Sequence, residues 1–126
     1  MTVMTATTRI LIVEDDPSVR RLLTTHLRQS GFQVEYAMTA EEVAADESYD
    51  VVLMDVHLPG ASGVELAHEI RKAQPGQAVI FVTGDAAVAD AARDAGAAGF
   101  LLKRFELSEL EAQIKAVTAQ IDVDCY

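Results

Sequence analysis

A chain of 126 residues with 20 acidic and 10 basic side chains, a formal charge of -10, is long enough for one hydrophobic core and too short for two. That charge would repel a nucleic-acid backbone, so direct nucleic-acid binding is not expected. Half of the residues are hydrophobic, yet no run approaches the roughly 18 apolar residues of a membrane span.

Residues 1–8 are polar and Thr-rich without the basic-then-apolar layout of a secretion signal, and they read as a flexible lead. Residues 10–13, 51–54 and 79–82 are short aliphatic runs of the kind that form strands buried on both faces. Between the first two, Asp16 followed by Pro17 is a helix start, Val19, Leu22, Leu23 and Leu27 form one apolar stripe, and Gly31 is a stop. Residues 32–36 alternate apolar and polar, which suits an edge strand. Thr39 with Glu42, and later Ser62 with Glu65, have the spacing of a capping box, and each predicts a helix. Asp85 opens an Ala-rich helix that Gly96 closes, and residues 99–102 form a shorter fifth strand. Leu107, Leu110, Ile114, Val117 and Ile121 make the stripe of a long last helix. The lone Cys125 excludes an internal disulfide and a cysteine metal site, and fits a reducing cytoplasm.

Strands alternating with helices over short links predict an α/β fold: a doubly wound, five-stranded parallel sheet. With residues 32–36 at an edge the strand order is 2-1-3-4-5, as in flavodoxin-like folds, which bind ligands beyond the strand ends where the order reverses. Strand 1 ends in Glu14-Asp15-Asp16 and its neighbour, strand 3, ends in Asp55. Asp16 is read as the helix cap. The other carboxylates repel one another unless a proton or a cation intervenes, and Mg2+ is the natural ion for an oxygen-only site that also takes a phosphate oxygen. Strand 4 brings Thr83 to the same rim and strand 5 brings Lys103. Carboxylates, a hydroxyl and an ammonium form a cradle for a phosphoryl group.

These four elements, each at a strand end, together with Asp55-Val56-His57-Leu58-Pro59-Gly60, resemble the receiver domain of two-component response regulators. The resemblance covers residues 9–121 and implies a receiver over 9–122 with a tail at 123–126. It implies that Asp55 takes a phosphoryl group from a phosphohistidine on a histidine kinase or phosphotransfer protein, and that the domain then changes its surface toward an unknown downstream protein. It implies Mg2+ on the side chains of Asp15 and Asp55 and the backbone carbonyl of His57, with Glu14 helping through water. Lys103 would pair with the phosphoryl oxygens, Thr83 would move toward them, and Phe100 would follow Thr83 as the switch aromatic. His57 and Asp85, two residues beyond Asp55 and Thr83, would tune the phosphoryl lifetime. The protein would assist its own phosphorylation without being an enzyme in the ordinary sense. It would be cytoplasmic, and a monomer or a weak homodimer through the face of the Asp85 helix, the fifth strand and the last helix. His26 and His68 read as ordinary helix residues.

One position departs from the family pattern. Arg104 stands where a cis proline normally follows the lysine, and a non-proline cis bond costs about 3 kcal/mol, so a trans Lys103–Arg104 bond or a looser loop is expected. Three other readings compete: a receiver-like interaction module that works without phosphorylation, the receiver part of a longer transcription regulator, and a flavin or nucleotide carrier. The last lacks the Gly/Ser/Thr-rich phosphate loop after strand 1, which here is Glu14-Asp15-Asp16-Pro17.

Overall fold

The computed structural model describes residues 8–43, 47–103 and 105–124. The expectations for residues 1–7, the Lys103–Arg104 bond, the Ile121 side chain and Cys125 lie outside the described residues. Five strands, β1 (Arg9–Val13), β2 (Gln33–Ala37), β3 (Val51–Asp55), β6 (Val79–Thr83) and β7 (Gly99–Leu102), form one parallel sheet in the order β2-β1-β3-β6-β7. The intervening numbers, β4 (His57–Leu58) and β5 (Ala61–Ser62), belong to a two-residue antiparallel ladder that the sequence pattern did not signal. Apart from it, this is the predicted order, with β2 at an edge.

The alternation of side chains along each strand divides the core between two faces. Ile10, Ile12, Leu53, Ile80 and Val82 pack with Leu23 and Leu27 of α1 (Pro17–Gln29) and with Leu110 and Ile114 of α4 (Leu107–Asp124). Leu11, Val13, Met54 and Phe81 pack with Leu66 and Ile70 of α2 (Gly63–Ala73) and Ala92 of α3 (Ala89–Asp94). β3 and β6 are buried along their whole length because both faces are covered.

The caps explain where the helices begin. Asp16 Oδ1 accepts from the Ser18 amide at 2.9 Å, and Ser62 Oγ accepts from the Val64 amide at 3.2 Å. Gly31 and Gly96, at φ 96° and 79°, take the left-handed turn that ends α1 and α3. The segment after β2 departs from expectation. In place of a helix entered at Thr39, the described residues hold one 3-10 turn, Ala40–Glu42, with no side-chain cap from Thr39. Glu42 instead reaches back to the Met38 amide at 3.2 Å, so the carboxylate caps one residue too early to support an α-helix. Asp85 likewise opens a 3-10 turn, Ala86–Val88, and α3 starts only after it.

Candidate functional site

The register places Val13 beside Met54, Asp55 beside Val82 and Thr83 beside Leu102. The residues that follow each strand therefore meet at one end of the sheet. Glu14 is buried, Asp55 is buried at the last position of β3, Thr83 is buried at the end of β6, and Asp15 is exposed at the rim. One carboxylate oxygen from each of Glu14, Asp15 and Asp55 lies within 4.8 Å of the others. Lys103 closes the pocket from β7, its Nζ 3.0 Å from Glu14 Oε1 and 3.5 Å from Asp55 Oδ2.

The loop beyond β3 is tied to the same carboxylate, because the His57 amide donates to Asp55 Oδ1 at 3.2 Å. The His57 ring points outward, and its Nε2 stands 3.7 Å from Asp85 Oδ2. Asp85 links three elements: its amide donates to Thr83 Oγ1 at 3.2 Å, its Oδ1 accepts from the Ala87 amide at 2.9 Å, and its Oδ2 faces His57. Phe100 is half-buried on β7 between two open grooves, one lined by Leu102, Phe105, Glu109 and Gln113, the other by Ala89, Ala92, Arg93 and Ala97.

The electrostatics follow from burial. Loss of water, with Asp55 alongside, pushes the Glu14 carboxyl up to about 8, although Lys103 opposes the shift. Burial works against the Lys103 ammonium, but the hydrogen bond and charge of Glu14 and the charge of Asp55 outweigh it and raise its pKa. Glu14 Oε2 is buried and has no hydrogen-bond partner among the described residues. A buried, unpaired carboxylate oxygen beside two further carboxylates is a donor set with an unmet need for a proton or a hard cation.

Glu14, Asp15, Asp55 and Lys103 thus meet in one crevice, His57 reaches it through its amide, Thr83 stands at the end of the neighbouring strand, and Phe100 sits on β7, just before Lys103. The sequence reading missed three contacts. Lys103 lies closer to Glu14 than to Asp55. Its backbone amide donates to the Thr83 carbonyl at 2.7 Å, which anchors it to β6 without help from a proline. His26 Nε2 lies 3.0 Å from Glu111 Oε2, so this histidine joins α1 to α4 and is more than an ordinary helix residue. None of these pairs is signalled by sequence spacing, because each crosses between elements.

The response regulator receiver domain family matches residues 10–115. The uncharacterized transcriptional regulatory protein YkoG of Bacillus subtilis is 37% identical over 116 residues, which cover 88% of this chain and 51% of that protein. The regulatory protein AtoC of Escherichia coli is 40% identical over 112 residues, 85% of this chain and 24% of its own. The chain therefore spans about half or less of the length of these relatives. Among solved structures, a response regulator receiver domain protein from Methanospirillum hungatei superposes with a TM-score of 0.88 at 31% identity, covering 94% of this chain and 99% of that one. The response regulator TrrA from Thermotoga maritima, solved in complex with Mg2+ and a beryllium fluoride, gives 0.80 at 31% identity over 87% of this chain and 98% of its own.

Proposed function

This chain belongs to the response regulator receiver domain family of two-component signal transduction, and from that premise we propose that Asp55 is its phosphoacceptor. The observation that carries the reading is the convergence of Glu14, Asp15 and Asp55 within 4.8 Å, with the Lys103 ammonium on the same carboxylates. In the proposed transfer an Asp55 carboxylate oxygen attacks the phosphorus of a phosphohistidine. The new P–O bond forms as the P–N bond breaks, and the electron pair stays on the imidazole nitrogen, which takes up a proton.

The donor set fits Mg2+: it is all oxygen, acidic and partly open, and the orphan Glu14 oxygen marks where a proton or a cation is still called for. Asp15, Asp55 and the His57 carbonyl would hold the ion, with Glu14 acting through water. When bound, it supplies positive charge against the acidic cluster and a seat for one phosphoryl oxygen. Lys103 takes a second phosphoryl oxygen. To do so it exchanges its contact with Asp55 for one with the phosphoryl group, while its backbone stays fixed on Thr83. Thr83 Oγ1 now accepts from the Asp85 amide, which leaves its proton free to donate toward the phosphoryl group. Phe100 has open groove on both sides and is the residue we expect to follow that movement.

The proposed upstream partner is a histidine kinase or phosphotransfer protein. The proposed downstream partner is a protein that reads the face of α3, β7 and α4, where Leu102 is an exposed apolar side chain. That face is also the proposed seat of any weak homodimer. We place the domain in the cytoplasm: no described helix is long and apolar enough to cross a membrane, and a two-component kinase presents its phosphohistidine on that side. The transcriptional output in the names of several relatives belongs to proteins about twice this length or longer.

Treatment with Mg2+ and a small phosphodonor such as phosphoramidate should give one acid-labile phosphate per chain, and Asp55→Asn should give none. Wild-type protein that gains no acid-labile phosphate would reject the reading in favour of an interaction module that works without phosphorylation.

A further inference from the structure

We propose that Gly63 is a positioning residue for the phosphoacceptor: the first residue of α2 presses on the backbone carbonyl of Asp55 at a distance that only glycine permits, and this contact sets where the end of β3 and the loop after it stand. The proposal rests on the reading of Asp55 given above.

The requirement is for space and not for conformation. Gly31, Gly60 and Gly96 have positive φ, whereas Gly63 does not. A Cβ at position 63 would fall well inside contact of the Asp55 carbonyl oxygen, 2.9 Å from its carbonyl carbon and 3.0 Å from Met54 Cγ. The first two are backbone atoms at the end of a buried central strand, so no rotamer change relieves the clash. Other crowded glycines differ. A Cβ at Gly99 meets the end of the Gln113 side chain and one at Gly96 meets the Arg71 guanidinium, both of which can swing away, while Gly76 and Gly84 have nothing within 4 Å.

A second contact works with the first. The Gly63 amide donates to the Val56 carbonyl at 2.7 Å. The start of α2 therefore touches the carbonyls of two successive residues, Asp55 and Val56. Between them and Gly63 the chain makes the small ladder of β4 and β5, and its first residue, His57, donates its amide to Asp55 Oδ1. The Ser62 cap holds the helix start in turn. The loop that carries His57 is thus clamped at both ends, and Gly63 is the clamp. An added methyl group must push either β3 or α2, and each movement displaces Asp55 relative to Asp15 beyond β1 and Lys103 beyond β7. Sites of this kind lose about 100-fold in rate for a misplacement of about 1 Å.

The test compares wild type, Gly63→Ala, Gly76→Ala as a glycine with free space around it, and Asp55→Asn. It reads the rate of acid-labile phosphate formation from phosphoramidate, Mg2+ affinity by calorimetry and the melting temperature. Gly63→Ala should fold, bind Mg2+ more weakly and take up phosphate at least ~10-fold more slowly, while Gly76→Ala matches wild type in both. A merely structural role would lower the melting temperature of Gly63→Ala and leave rate and Mg2+ affinity per folded molecule unchanged, and that result overturns the proposal. If Gly63→Ala does not fold, the wild-type protein decides by nitrogen–proton NMR. A saturable Gly63 amide shift that follows Mg2+ with the affinity measured by calorimetry supports the clamp, and an unmoved Gly63 amide overturns it. Wild type that takes up no phosphate fails the reading of Asp55 itself, whereas equal uptake by wild type and Gly63→Ala fails this inference alone.

Discussion

At the end of β1 the Glu14 carboxyl has lost its water, and burial together with the neighbouring Asp55 pushes it up to about 8 from an ordinary 4.5. The sign of its effect on stability follows. The fold favours the protonated form, so this contribution is fully present below the unfolded value and is lost as the pH rises through about 8. Metal-free protein should therefore melt at lower temperature as the pH is raised across that range. Mg2+ should restore more stability at the alkaline end than at the acid end. Glu14→Gln, which is neutral at every pH, should flatten the slope. Thermal melts across the range check this, and a slope that Glu14→Gln leaves intact would show that other groups set it. The residue types of the pocket were legible in the sequence because a carboxylate after a buried strand has few other uses. The preference of Lys103 for Glu14 was not, since it depends on the orientation of two side chains from β1 and β7, which are not adjacent strands.

Between elements, the structure joins loops that the sequence lists separately. The Asp85 carboxylate caps the turn before α3 and faces His57, so the loop after β3 and the loop after β6 meet across the mouth of the pocket. Both side chains are largely exposed, so the pair contributes little to stability. Its expected effect is on the path of the water that hydrolyses an aspartyl phosphate. Replacing His57 and Asp85 together with alanine should leave phosphate uptake in place and change the decay rate severalfold. Decay of the loaded protein in Mg2+ buffer measures it, and an unchanged rate would remove these residues from control of the lifetime. Positions two beyond Asp55 and Thr83 are readable from the sequence, but their contact is not. The element that sequence reading overstated, a helix from Thr39, is a single 3-10 turn among the described residues, where the capping-box carboxylate turns back to the Met38 amide.

Across the whole molecule, both core layers meet on β3 and β6, and two of the four strand ends that form the site are theirs. Phe81 of β6 is completely buried against the α2–α3 side. Removing its ring should cost about 3–5 kcal/mol, a large share of the roughly 5–15 kcal/mol that holds a domain of this size. Urea unfolding of Phe81→Ala checks the value, and a loss below about 1 kcal/mol would mean that the layer repacks around the gap. Strand order, the edge position of β2 and the meeting of four strand ends were all determined by the sequence itself. Hydrophobic runs buried on both faces admit only a parallel sheet covered by helices, and that topology sends the residues after every strand to one pole. Tertiary structure alone decided the details that make the pole a site: the ammonium placed between Glu14 and Asp55, Lys103 held by the Thr83 carbonyl, and the glycine seated on the Asp55 backbone. Each of these is a contact of a few ångströms between residues 20 or more positions apart or across a tight loop. Periodicity along the chain carries no record of such distances.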